Sequence, residues 1–373
     1  MRRFALLALV AAFCHLAVAA SAAPPQVQAS SWLVENGTTG ELLGSSGARV
    51  QLPIASITKL MTVLVALDHR RLTDLVTVDP RAAAVGQETI YLPAGETISV
   101  AELAKAALIQ SANNAAAALA LGVAPDFDAF AALMNAKARE LGLADSNFVR
   151  PDGLDAPNQY SSARDATTLA EAAMRVPFIR ATVRQVTATI SGDRTLHTWN
   201  DLLGRMPGVI GVKTGHTSGA GWSQVAAVRG DAGILYATIL GSPSRAQRNA
   251  DLQALLVWGL AQYRTVEAIS TRRVYAEARL PYGRDPLALV AQKPLRLVVR
   301  PGRPLVERVV APTGLSLPVE RGQVVGRIEI WARGRLLGRR ALVAAASSSS
   351  PSTPARIGWY AKRTAHNVLG LLP

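Results

Sequence analysis

Three short groups of residues have the types and spacing to carry nucleophilic chemistry. The first is Ser56-Ile57-Thr58-Lys59. Residues three apart share a helix face, so a hydroxyl at the start of a helix meets an amine one turn later. Serine is a poor nucleophile until a base takes its proton, and a lysine kept neutral by its surroundings is such a base. The stretch around Lys59 is otherwise largely apolar, a costly place for a charge without a task. The second group is Ser111-Ala112-Asn113, a hydroxyl and an amide that a turn points into one cleft. The third is Lys213-Thr214-Gly215, directly after the strand-like Val209-Ile210-Gly211-Val212. An amine and a hydroxyl at a strand edge suit an anionic group, and Gly215 leaves room for a substrate backbone. Taken singly, each group has an ordinary alternative: a helix cap before a solvated lysine, an N-cap pair, or a strand end before a turn.

These residues need elements to hold them. Lys59 to Leu67 has apolar helical character, and Val100 to Leu121 is alanine-rich with a helical period. Gly208 to Lys213 and Gly233 to Leu240 read as short strands, and Trp32–Glu35 and Glu41–Leu43 flank a glycine-containing turn. The mixture predicts an α+β domain over residues 24–265, with helices packed on an antiparallel sheet. Residues 266–345 change character. Val274–Leu280, Leu295–Arg300, Leu305–Ala311, Val325–Trp331 and Leu336–Val343 read as strands separated by Pro/Gly turns. They predict a small all-β domain with no nucleophile or carboxylate cluster of its own. Residues 346–354 read as a Ser/Pro-rich linker.

Residues 355–373 predict an amphipathic helix. At about 100° per residue, Ile357, Tyr360, Ala361, Thr364, Ala365, Val368, Leu371 and Leu372 fall on one side. Arg356, Trp359, Lys362, Arg363, His366 and Asn367 fall on the other. An apolar face opposite a basic one suits a membrane surface, and a helix docked on the protein's own β domain would show a similar pattern.

Composition bounds the rest. The chain has 373 residues, 49% hydrophobic and 18% charged, which is ordinary for a globular protein. Its formal charge is +14. The arginines are scattered from Arg245 onward without a long basic run, which points to an anionic surface and away from nucleic acid. Met1-Arg2-Arg3, the apolar stretch Phe4–Ala20 and the small residues Ala20-Ser21-Ala22 predict a signal peptide over residues 1–23 and export. Cys14, the only cysteine, lies inside that leader, so the mature chain is expected to have no disulfide and no thiol chemistry. The five histidines have no metal-ligand spacing, and no metal or cofactor is expected.

In their order, the three groups resemble the Ser-x-x-Lys, Ser-x-Asn, Lys-Thr-Gly set of penicillin-binding proteins and serine β-lactamases. The flanks Pro53–Thr62, Leu92–Glu96, Asp152-Gly153-Leu154, Tyr160–Asp165 and Lys213–Thr217 resemble the D-alanyl-D-alanine carboxypeptidases among the low-molecular-mass penicillin-binding proteins. Leu317–Gly326 resembles that family's second, β-rich domain.

The resemblance implies a β-lactamase/transpeptidase-like fold. It implies Ser56 as the acylated nucleophile, Lys59 as its base and Ser111 as a proton relay. Asn113, Lys213, Thr214, Arg248 and the backbone of His216 would be substrate-binding groups. The implied partners are peptidoglycan stem peptides, β-lactams as covalent inhibitors, and a membrane surface reached through the C-terminal helix. The implied location is the periplasm, on the outer face of the cytoplasmic membrane. Two positions depart from the family pattern: Asn114 where an aspartate is common, and Trp199 where the family has an arginine. An endopeptidase acting on peptide crosslinks and a non-catalytic cell-wall binding protein are the alternatives. A class A β-lactamase is disfavoured, because no glutamate lies in the Glu-x-x-Leu-Asn motif that supplies its deacylating base.

Overall fold

The computed structural model describes residues 7–14 and 23–369. The chain divides into two compact units, one running to Gln262 and the other starting at Tyr263 and including the strand Leu7–Cys14.

The first unit is built on a five-stranded antiparallel sheet. Its order is Glu41–Ser46, Ser31–Asn36, Gly233–Ser242, Gly221–Gly230 and Val209–Thr217. Side chains alternate between the faces of a strand, and the central strand Gly233–Ser242 shows what covers each face. Leu235 points toward Gly259 of the helix Arg245–Ala261. Thr238, of opposite parity, meets Thr167 of the helix Ala163–Arg175 through a 2.6 Å hydroxyl pair. Helices therefore cover both faces. The predicted α+β class is what the structure contains.

The helix Lys59–His69 packs against the helix Asn113–Val123 at the centre of the helical layer. Asn113 through Ala120 are all buried. A helix that is apolar on every side belongs inside a domain, and its alanines keep the neighbouring backbones close. The alanine-rich run from Val100 is not one continuous helix. A capped α-turn, Val100–Lys105, passes into a π-helical turn, Ala106–Gln110, and Ser111 then takes a left-handed conformation with φ 65°. That break is the local reason the Ser111 hydroxyl leaves the helix axis. π-turns inside helices are concentrated at functional sites.

The second unit is a β structure. A six-stranded sheet runs in the order Leu7–Cys14, Leu305–Pro312, Val324–Ala332, Arg335–Ala344, Leu287–Ala291 and Val274–Ala278. Arg264–Ile269 pairs separately with Leu295–Val299. The turn between Ala332 and Arg335 is made by Arg333 and Gly334, both at positive φ, as a tight two-residue hairpin requires.

Three strands of this unit were not expected. Leu287–Ala291 is an apolar run without alternation, and Arg264–Ile269 follows directly on a helix. Leu7–Cys14, from the segment that reads as a leader, lies antiparallel along Leu305–Pro312 in the full-length chain. The expected cleavage region at Ala22 lies outside the described residues, as do Leu371 and Leu372 of the expected apolar helix face. The C-terminal helix is Thr353–Leu369, beginning two residues before the expected start.

Candidate active site

Ser56 lies on a short 3₁₀ turn, Ala55–Thr58, that runs into the helix Lys59–His69. In a 3₁₀ turn residues three apart eclipse one another, which brings Lys59 Nζ to 2.6 Å from Ser56 Oγ. Ala55, just before the serine, is left-handed with φ 48°, an uncommon conformation for a residue with a side chain. The strand Val209–Thr217, at the edge of its sheet, packs against this turn. A Cβ added at Gly215 would stand 2.6 Å from Ile54 O and 3.2 Å from Ser56 N. Glycine is needed at 215 for the strand to reach the turn, a closer constraint than the substrate approach expected from the sequence.

Lys59 is fully buried. Its ammonium also donates to Asn113 Oδ1 at 2.7 Å and to the carbonyl of Asp152 at 2.6 Å. Burial lowers its pKa to about 7, with the charges of Asp152 and Glu88 acting in the opposite direction. Lys213 is equally enclosed and donates to Ser111 Oγ at 2.9 Å and to Thr214 O at 3.0 Å. Burial, then the neighbouring charges of Lys59 and Arg248, hold it well below the ordinary lysine range. Each hydroxyl is thus paired with an amine whose protonated form burial disfavours.

In front of these pairs lies a cavity of about 370 Å³ lined by Ser56, Ser111, Glu88, Trp199, Thr214, His216, Trp222 and Arg248, among others. The His216 ring stacks on Trp222 at 4.0 Å. Arg248 is 1% exposed. Its Nη2 donates to Asp201 Oδ2 at 3.1 Å and to Asn249 Oδ1 at 2.6 Å. Burial lowers its pKa to about 10, which leaves it a cation at neutral pH. Among the described residues no group of His, Cys, Asp and Glu is placed to hold a metal ion.

The D-alanyl-D-alanine carboxypeptidase family matches residues 18–244. The chain belongs to that family. It is 30% identical over 360 residues to the D-alanyl-D-alanine carboxypeptidase DacD of Salmonella typhimurium, covering 92% of each chain. It is 33% identical over 336 residues to DacC of Escherichia coli, covering 86% of this chain and 84% of that one. Among solved structures, penicillin-binding protein 5 of Haemophilus influenzae is similar with a TM-score of 0.64 and 27% identity, over 88% of this chain and all of that one.

Within this family frame the structure brings the sequence-predicted residues together, with two changes of placement. Asn113 does not line the cavity. Its Oδ1 holds Lys59, and its Nδ2 lies 3.3 Å from Gly86 O and 3.4 Å from Gln87 O. Lys213 also lies behind the cavity wall, against Ser111, so Arg248 is the cationic side chain that lines the cavity. Thr214 and His216 line the cavity.

The departure at Asn114 has a physical reason. Its amide donates to Ile90 O at 2.8 Å and accepts from Ile90 N at 3.3 Å. A carboxylate could not donate to that carbonyl. Trp199 lines the cavity and donates through Nε1 to Gln110 O, next to Ser111.

Sequence reasoning missed the Asp152 carbonyl, Glu88 and Trp222. A backbone carbonyl carries no residue signature, and only the Asp152-Gly153-Leu154 flank marked the first of these.

Proposed function

We propose that Ser56 is acylated by the carbonyl between the two terminal D-alanines of a peptidoglycan stem peptide, as the family assignment and the site geometry support. The observation that carries this is the 2.6 Å contact between Ser56 Oγ and a lysine whose pKa burial brings to about 7. Lys59 takes the hydroxyl proton as Oγ attacks. The backbone N–H groups of Ser56 and His216 receive the oxyanion, each such donor being worth roughly 3–4 kcal/mol of barrier lowering. Ser111, hydrogen-bonded to Lys213, returns a proton to the departing D-alanine amine. Arg248 and Thr214 bind the substrate's terminal carboxylate. Water then releases the shortened peptide, and β-lactams trap the same serine. No cofactor enters the scheme. Incubation with pentapeptide-containing muropeptides tests it. Released D-alanine is the expected product, and crosslinked dimers split without D-alanine release would favour the endopeptidase alternative.

The protein acts in the envelope, exported to the periplasm and held on the outer face of the cytoplasmic membrane by the helix Thr353–Leu369. Among the described residues no single helix is long and apolar enough to cross a membrane, so the attachment proposed is peripheral. The helix touches its own unit through Trp359 and Tyr360, whose rings meet Tyr282 edge-on at 5.5 and 6.1 Å. Ile357 is nevertheless 65% exposed and Tyr360 57%. An apolar face left open beside Arg356, Lys362 and Arg363 supports insertion at an anionic lipid surface. Deleting residues 356–373 is expected to move the protein from the membrane to the soluble fraction, with activity on a small soluble peptide retained. Continued sedimentation with membranes, or loss of folding, would favour a helix that serves only to cap the β unit.

A further inference from the structure

Two arginines share one aspartate beside the cavity, and only one of them reaches it. Arg245 grips Asp201 with two bonds, Nη2 to Oδ1 at 2.6 Å and Nε to Oδ2 at 2.7 Å. Asn249 Nδ2 adds a third bond, to Oδ2 at 2.8 Å. Arg248 makes a single, longer bond to the same oxygen, 3.1 Å from Nη2. The remaining bonds of Arg248, from Nε and Nη2, go to the neutral Asn249. Its guanidinium lies over the ring of Trp222, 5.7 Å from the centroid, and the side chain lines the cavity while being 1% exposed. Arg245 is not among the residues lining the cavity. Its guanidinium lies over the ring of Trp199, 5.1 Å from the centroid, within the range of a cation–π contact. The Asp201 carboxyl is held at a pKa of about 2, chiefly by its hydrogen bonds from Arg245.

We infer that Arg245, seated on Trp199, is a positioning residue that neutralises Asp201 and so leaves the charge of Arg248 available to the substrate's terminal carboxylate. The cluster of two arginines and one aspartate carries one net positive charge. Without Arg245 it would carry none, and Arg248 would turn inward to a full ion pair with Asp201, in competition with the substrate. Trp199 stands where the sequence departs from its family by lacking an arginine. With Arg245 stacked on it, that position still contributes positive charge, at one remove from the cavity.

This inference rests on the carboxypeptidase reading, and the test separates the two. Two acylated peptides ending in D-Ala-D-Ala are compared, one with a free terminal carboxylate and one with a carboxamide. Release of D-alanine from the first by the unaltered enzyme tests the reading itself. If nothing is released, the same comparison is made by measuring how well each peptide protects Ser56 from penicillin.

Arg245→Gln is expected to raise KM for the carboxylate peptide about tenfold with kcat nearly unchanged, the signature of lost ground-state binding. KM for the carboxamide peptide stays where it was. Adding Asp201→Asn to Arg245→Gln removes the charge that captures Arg248, and KM returns toward the original value. Equal loss on both peptides, or a deeper loss in the double variant, would overturn the inference. Arg245→Lys provides a second check should Arg245→Gln fail to fold. It keeps the charge but gives up the two-bond grip and the stacking, so a rise in KM smaller than about tenfold is expected, and a full tenfold rise there would also count against the proposal.

Discussion

Replacing Ser56 by alanine is expected to abolish acylation by penicillin and release of D-alanine together. The expected fall is a factor on the order of 10⁴ or more, the scale seen when a covalent nucleophile is removed. Ser56 Oγ combines a lysine at 2.6 Å with a place in the cavity wall on the 3₁₀ turn at the start of a helix. Ser111 also has a lysine, Lys213, at 2.9 Å, so it is the hydroxyl that could substitute. It sits on a left-handed residue at a helix break, away from the 3₁₀ turn and its N–H groups. Intact-mass measurement after penicillin treatment, followed by peptide mapping, reads the outcome directly. An adduct on Ser111 or any other serine in the Ser56→Ala protein would exchange the two roles.

Lys59→Arg is expected to lose acylation by about 10² to 10⁴, the usual contribution of a positioned base. Arginine keeps the positive charge but does not release its proton near neutral pH. The unaltered enzyme should show the same requirement as a pH dependence. Lys59 is lowered to about 7 by burial, and only its neutral form accepts the serine proton. The acylation rate therefore rises with pH through about 7 and levels above it, where the amine is already free. A rate independent of pH between 5.5 and 8.5, or near-normal acylation by the arginine variant, would assign the base elsewhere.

How far the sequence discloses this site depends on how local each contact is. Ser56 and Lys59 are three residues apart, so one turn of backbone fixes their geometry, and the motif is readable as chemistry. Ser111 and Lys213 are each recognisable as motif residues, yet their pairing spans the chain and follows from tertiary packing. The sequence reading gave Asn113 to the substrate. Folding gives its amide oxygen to Lys59, because the start of its helix packs beside the start of the helix Lys59–His69. The Arg245–Asp201 ion pair brings together two residues that no local pattern links.

The fold shows the same division. Alternation and turn residues disclosed the β unit's hairpin at Arg333-Gly334, while the uniformly apolar Leu287–Ala291 gave no period to read. The helical period from Val100 onward was visible, but the π-turn that ends it at Ser111 was not.

The partners of Lys59 also bear on how the protein matures. Asn113 and Asp152, which hold its ammonium, lie 54 and 93 residues further along the chain. Contacts of such separation form late, because the chain entropy of closing long loops must be overcome before they contribute. Before then Lys59 is hydrated, keeps its proton near neutral pH and leaves Ser56 inert. Reactivity toward penicillin is therefore a property of the completed domain. During refolding it should appear with the last cooperative step, after helical circular dichroism has recovered, so a labelled β-lactam reports native assembly in a chain whose only cysteine is Cys14.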